Sequence, residues 1–243
     1  SGDGKNANLV AQLETESLAA KAAEFKTTNN DDTIGWIRIP NTNVDYPVVY
    51  KAGVENYAYY ESKGYDKQYS KDGVIWADYE CTFPELSQNT TLYGHNWHNI
   101  YTPRTQANMQ ANDLMFSLVM SYNYPDFAQE NPFVYFSTTE QDYVFQVFAS
   151  YYTDLNFGYN YAQMSQEDFQ KVIAEAKAKS LSNYNVPVTS EDKIVTLSTC
   201  TRVHGNTNNQ RFVVMAKLVP VGTPSTTIST HSNPIAYNSS IDA

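Results

Sequence analysis

The chain has 243 residues, a formal net charge of −10 and 42% hydrophobic residues. That length and apolar content suffice for one sizeable core, and the acidic balance excludes nucleic acid and anionic membrane surface as partners, since both require a cationic face. Two cysteines, Cys81 and Cys200, allow at most one disulfide, and no run of about 18 apolar residues offers a membrane span or an intact signal peptide.

The opening SGDGKN resembles a tag remnant, so an N-terminal anchor is expected to precede the sequence given. Residues 9–26 are rich in Ala, Glu and Lys, with Leu18, Ala22 and Phe25 at helical spacing, which predicts a helical segment within residues 1–30. Short β-type runs follow at 34–39, 46–50, 73–79 and 90–95, separated by turn-forming residues. Asn112 is placed to cap a short helix with Met115, Leu118 and Val119 on one face, ended by YNYP. Two further strands are predicted over 133–138 and 143–150. The clearest helix begins at SQED: Ser165 and Asp168 have capping-box spacing, and Phe169, Val172, Ile173 and Ala176 repeat along one face. KIVTLSTC and RFVVMAKLV form the last two strands, joined by the polar loop TRVHGNTNNQ. About eight strands with few helices predict a mainly β domain over 31–220, a closed barrel or sandwich decorated by helices. From Val221 onward the chain is rich in Ser, Thr and Asn without periodicity, so 221–243 is expected to be a flexible C-terminal tail.

Cys200 follows a strand whose Val195 and Leu197 share one face, which puts the thiol where the barrel opens. A lone cysteine is more often a small buried hydrophobe than a nucleophile; its company changes the reading. A thiol nucleophile requires a base or ion-pair partner to reach the thiolate, and a donor for the oxyanion it creates. His95 ends TLYGH at another strand mouth, and Arg211 opens the strand after the cysteine's loop. Antiparallel pairing across that loop brings Arg211 beside Cys200. His204 in the same loop is a rival base, disfavoured by glycine- and asparagine-rich surroundings too mobile for pre-organisation, and Arg202 is a rival cation that spacing does not separate from Arg211. His95 and His98 make a His-x-x-His pair, but neither a third ligand nor metal-type cysteine spacing accompanies it, and no acidic cluster has EF-hand spacing; no metal or other cofactor is expected. Cys81, in DYECTF, has no basic neighbour and reads as a bystander thiol, and His231 belongs to the tail.

TLSTC at 196–200, LYGHN at 92–96 and RFVVMAKL at 211–218 resemble the sortases, class B in particular. The resemblance extends to IGWIRIPNTNVDYPVVY at 34–50, to YSKDGVIWADY at 69–79 and to the helix over 165–180, and so covers about 34 to 219. It implies an eight-stranded barrel and a monomeric cysteine transpeptidase of Gram-positive bacteria, held on the extracytoplasmic face of the cell membrane by a single N-terminal anchor. By that analogy Cys200 attacks the Thr carbonyl of a surface protein's sorting signal, His95 protonates the leaving amine, and Arg211 steadies the carbonyl and oxyanion. An amine on a peptidoglycan cross-bridge or a pilin then resolves the acyl-enzyme. ENYAYY resembles the family's Asn-x-Tyr-Tyr-Leu segment, which implies that Asn56 and Tyr60 line the peptide groove, and Ser198 occupies a similar groove position. Tyr60 stands where the family commonly has Leu, and no DPW or DPF lid segment precedes the barrel, which argues against a class C pilin polymerase. SNPIAYN at 232–238 resembles the Asn-Pro opening of class B sorting signals. Two rival classes are a Cys-His cell-wall peptidase that releases its product to water and an inactive surface-binding module; strand-end Cys, His and Arg disfavour the second.

Overall fold

The computed structural model describes residues 9–232 and 234. Helix α1 (Leu18–Thr28) starts at Ser17, whose hydroxyl accepts the Ala20 N–H at 3.1 Å, and the Asp142 carboxylate accepts both the Ser17 hydroxyl and the Ala19 N–H. The helix is shorter than the composition predicts, because residues 9–17 are irregular, bending at 15–16, and Val10 forms a bridge with Pro224. Strand β1 (Thr33–Arg38) alternates buried and half-buried residues, the period of a strand with one face on a core. It is followed by β2 (Asp45–Val49), β3 (Ile75–Ala77) and β4 (Asn89–Tyr93).

No helix is capped by Asn112. Met115 takes a left-handed φ of 52°, which stops a helix at its start, and a 3-10 stretch (Ser117–Asn123) forms in its place. The neighbouring Asp113 is the anchor, its carboxylate accepting from Arg104, the Gln110 N–H and the Ser117 hydroxyl. Pro125 begins helix α2 (Pro125–Glu130) instead of ending one, since a proline in the first helical turn sacrifices no hydrogen bond. Then come β5 (Phe133–Thr138), β6 (Val144–Asp154), α3 (Gln166–Lys179) capped by Ser165 as its spacing predicts, β7 (Ser182–Asn183), β8 (Ile194–Cys200), β9 (Gln210–Val219) and β10 (Ser229–Thr230).

Eight strands close a barrel in the order β1-β2-β3-β4-β8-β9-β6-β5, with β5 pairing back onto β1. Its core joins Ile37, Val48, Leu92, Leu197 and Val214 to Phe169, Ile173 and Ala176 of α3. Pairing is antiparallel except for β2 with β3 and β4 with β8. The parallel β4–β8 pair sets Tyr93 opposite Ser198, so both strands end at one rim; antiparallel β8–β9 sets Cys200 directly opposite Arg211.

The expected flexible tail is, over 221–232, a strap. Ala11 and Gly222–Thr223 exchange backbone hydrogen bonds of 2.7 Å, Gln129 holds Thr226 and Ile228, and β10 pairs with β7. Turn-rich composition hid this because the strap's bonds go to distant partners. The remainder of 221–243, with most of SNPIAYN, lies outside the described residues, as do residues 1–8 of the N-terminal segment. Among the described residues no helix is long and apolar enough to cross a membrane.

Candidate active site

The ends of β4 and β8 are locked together just before their functional side chains. The Gly94 N–H donates to Ser198 O at 3.3 Å and the Thr199 hydroxyl donates to Gly94 O at 2.7 Å. Gly94 is confined by packing: a Cβ there would lie 2.6 Å from both Ile75 Cδ1 and Phe116 Cγ. Asn96 adds a second tie, its amide donating to Asn99 O and, at 3.3 Å, to the carbonyl of Cys200. His95 and the partly exposed Cys200 are therefore carried on one braced rim.

A groove of about 380 Å³ opens over this rim and is lined by Cys200, His95, Arg211 and Ser198 together. Tyr57, Ala58 and Glu61 form one wall, Leu155, Tyr159 and Asn160 of the β6–α3 loop the other, and Trp76, Asp78 and Tyr93 the floor. Three larger hollows, of about 820, 770 and 430 Å³, lie beside the strap, behind the β6–α3 loop and between Glu80 and Lys193, and none of them is lined by a cysteine. The groove wall is tied to the barrel by Asn89, whose amide donates to the carbonyls of Tyr159 and Tyr161, and by Tyr159, whose hydroxyl is 2.8 Å from that of Ser198.

Arg211 donates from Nη1 to the carbonyls of Asn208 and Gln210, both at 2.9 Å, which fixes the guanidinium to its loop. Among the described residues its Nε and Nη2 have no protein acceptor, so N–H donors are left for an oxygen in the groove. Asp78 accepts from the Tyr93 hydroxyl at 2.6 Å and from the Glu80 N–H at 2.9 Å, and Asn160 donates to the same Tyr93 oxygen. Burial of Asp78 outweighs these donors and lifts its carboxyl above the ordinary value of 3.8. The Nε2 of His95 meets the carbonyl of Glu61, and its ring stacks on Trp97.

Of the six residues that the sequence nominates, Cys200, His95, Arg211 and Ser198 share the groove, and Asn56 and Tyr60 do not. A 3-10 turn (Val54–Asn56) turns Tyr57 and Ala58 toward the groove. Tyr60 faces the other way: it is 1% exposed, packs with Val49 and Val74, and donates its hydroxyl to Asp32 at 2.5 Å. Asn56 spends its amide on Ala52 O within the turn. The rivals also lie elsewhere. Arg202 donates to Asn208 Oδ1, His204 packs edge-on against Tyr152, His98 is exposed, and the His231 N–H bonds Leu181 O in the strap. Cys81 is buried, and that burial pushes its thiol up to about 12, which leaves it unreactive at neutral pH. Sequence reasoning missed Tyr159, Asn160 and Asp78. The aromatic run FGYNYA in a loop between a long strand and a capped helix was the available signal for the first two.

A sortase domain family model matches residues 37–219. Sortase B of Staphylococcus aureus is 30% identical over 193 residues, which is 79% of this chain and 72% of that protein. Sortase B of Listeria monocytogenes is 29% identical over 191 residues, 78% of this chain and 71% of that protein. Among solved structures, the Staphylococcus aureus sortase B-substrate complex is similar at a TM-score of 0.69 and 27% identity, covering 85% of this chain and 88% of that one. Clostridium perfringens sortase B is similar at a TM-score of 0.66 and 27% identity, covering 81% and 98%. A match that runs through nearly the whole barrel, and not the rim alone, means that the chain belongs to the sortase family, among the class B cysteine transpeptidases.

Proposed function

We propose that this transpeptidase cleaves the C-terminal sorting signal of a surface protein after Thr and passes the protein to an amine of a cell-wall cross-bridge or a pilin. The observation that carries the reading is the convergence of Cys200, His95 and Arg211 on one groove from adjoining strand ends. The Cys200 thiol gives its proton to His95, and the thiolate adds to the Thr carbonyl carbon. Arg211 donates to the oxygen as it becomes an oxyanion, a task suited to a permanently charged fork that never acts as a base. As the oxyanion collapses the C–N bond breaks and the imidazolium protonates the departing amine, leaving a thioester on Cys200. An incoming amine reverses the sequence: it adds to the thioester, gives up a proton to His95, and the sulfur leaves. Every proton and electron pair is accounted for without a cofactor.

Solved relatives support both halves of the reaction, since one sortase B was captured with a substrate and another with triglycine. Ser198, hydrogen-bonded to Tyr159 in the wall, is proposed to contact the peptide. The site of action is proposed to be the extracytoplasmic face of the membrane, reached by an N-terminal anchor, with the protein acting as a monomer. The test is a panel of Asn-Pro, Ser-Pro and Leu-Pro pentapeptides, each with and without a glycyl amine acceptor, analysed by mass spectrometry. Cleavage after Thr with transfer to the amine, abolished in Cys200→Ala and nearly so in His95→Ala, is expected. Cleavage with water as the sole acceptor would identify a cell-wall peptidase instead, and no cleavage of any peptide with Cys200 unreactive toward thiol probes would identify a binding module.

A further inference from the structure

The imidazole of His95 is held by an edge and by a face. Its Nε2 lies 2.5 Å from the carbonyl oxygen of Glu61, and a carbonyl only accepts, so Nε2 carries a proton. The same edge has room because residue 73 is glycine, at φ +68°: a Cβ there would sit 2.9 Å from His95 Cδ2 and 3.3 Å from Nε2. Trp97 covers the ring face, with centroids 5.1 Å apart and planes 23° from parallel. Trp97 is itself fixed, although 43% exposed, by donation from Nε1 to Lys71 O at 2.9 Å. Trp76, from the groove floor, meets the imidazole at 5.6 Å and 50°.

We propose that Trp97 is a positioning residue for acyl transfer, and that with the Glu61 carbonyl it selects the His95 tautomer in which Nδ1 exchanges protons with Cys200 and the leaving amine. This rests on the acyl-transfer reading above and adds which nitrogen works and what holds it there. With Nε2–H committed to Glu61, the neutral ring keeps one lone pair, on Nδ1. Nδ1 takes the thiol proton as sulfur attacks, so both nitrogens then bear hydrogen. When the C–N bond breaks, Nδ1 passes its proton to the amine nitrogen, and the starting tautomer is restored. A half-turn of the ring would exchange the two edges and break the Glu61 bond; the indole stacked on the face resists that turn.

Groups near this ring include Cys200, Arg211 and Asp78 in the groove, Glu61 in its wall, Asp72 in a crevice with Trp97 behind the ring, and Lys71, whose Nζ is 5.4 Å from the Trp97 ring; the groove also carries the phenols of Tyr57, Tyr79, Tyr93 and Tyr159. Substituting Trp97 alters none of these residues, although each substitution removes the indole's hydrogen bond to Lys71 O. Trp97→Phe keeps an aromatic face, whereas Trp97→Leu keeps bulk without one and Trp97→Ala removes both. The test is ¹⁵N NMR of histidine-labelled protein, with His95 assigned from His95→Ala, together with kcat and KM of peptide cleavage. Wild type and Trp97→Phe are expected to show neutral His95 protonated at Nε2, with kcat within about threefold of one another. Trp97→Leu and Trp97→Ala should show mixed tautomers and kcat lower by about tenfold or more with KM little changed. A wild-type ring protonated at Nδ1 overturns the tautomer assignment whether or not the protein cleaves a peptide, and Trp97→Leu turning over like wild type overturns the role of Trp97. Failure of wild type to cleave any peptide would instead count against the proposed function, so the two failures are distinguishable.

Discussion

Replacing Asn89 by alanine tests how the groove wall is held. Asn89 is fully buried; its amide donates to Tyr159 O at 2.8 Å and Tyr161 O at 3.2 Å, and its oxygen accepts the Thr196 hydroxyl at 2.7 Å. These bonds fasten the loop carrying Tyr159 and Asn160 to the outer face of β4 and β8. At about 1 kcal/mol net for each bond, the loss sums to about 3 kcal/mol. The longer Tyr161 bond lowers that figure, and stranding two carbonyls and a hydroxyl raises it, so a cost of about 2–4 kcal/mol is expected. With a urea slope of about 3 kcal/mol per M, reasonable for a chain of this size, the unfolding midpoint falls by about 1 M. Asn89→Asp should be worse than Asn89→Ala, because a carboxylate presents a third acceptor to two carbonyls that need donors. In peptide cleavage the alanine variant should show its loss chiefly in KM, since the wall is displaced while Cys200 and His95 stay on their braced rim. A midpoint within about 0.2 M of wild type, or an Asp variant as stable as the Ala variant, would refute this account of the wall.

Iodoacetamide at neutral pH should alkylate Cys200 and spare Cys81 until the protein is unfolded, because Cys81 is 2% exposed and its thiol is pushed up to about 12; peptide mapping after brief labelling checks this. Arg211→Lys should lower kcat/KM by at least about tenfold, since a point charge replaces a fork, whereas Arg202→Lys, outside the groove, should stay within about twofold; equal losses would sink the assignment. Asp78 supplies a pH dependence. Its folded pKa is raised, so the stability linked to it is complete below the unfolded value of 3.8 and is lost as pH rises through the folded value. The Tm of wild type relative to Asp78→Asn should therefore fall as pH rises from about 3.5 and level off once the carboxyl is ionised, and a difference independent of pH would contradict the burial argument.

Local chemistry made much of the fold legible. The Ser165 cap and the apolar repeat of α3, the alternation in β1, and the apolar runs of β5, β8 and β9 sit where spacing puts them, because each is decided by neighbours a few residues away. The departures have non-local causes. Tyr60, which the motif assigns to the groove, is instead buried against Val49 and Val74 and bonded to Asp32, Met115 adopts a left-handed φ where the spacing predicts a helix start, and the strap over 221–232 draws its bonds from Ala11, Gln129 and β7.

The amino-acid order alone determined which side chains are fit for acyl transfer, since the chemistry of a thiol, an imidazole and a guanidinium at strand mouths is written in residue types. Only the tertiary structure decided that they meet. Gly94 and Thr199 are 105 residues apart, and what joins them is the parallel pairing of β4 with β8 inside a closed barrel. That pairing, like the wall that Asn89 holds and the indole that covers His95, arises from hydrogen bonds and packing between segments that have no periodicity in common, so no window of sequence contains it.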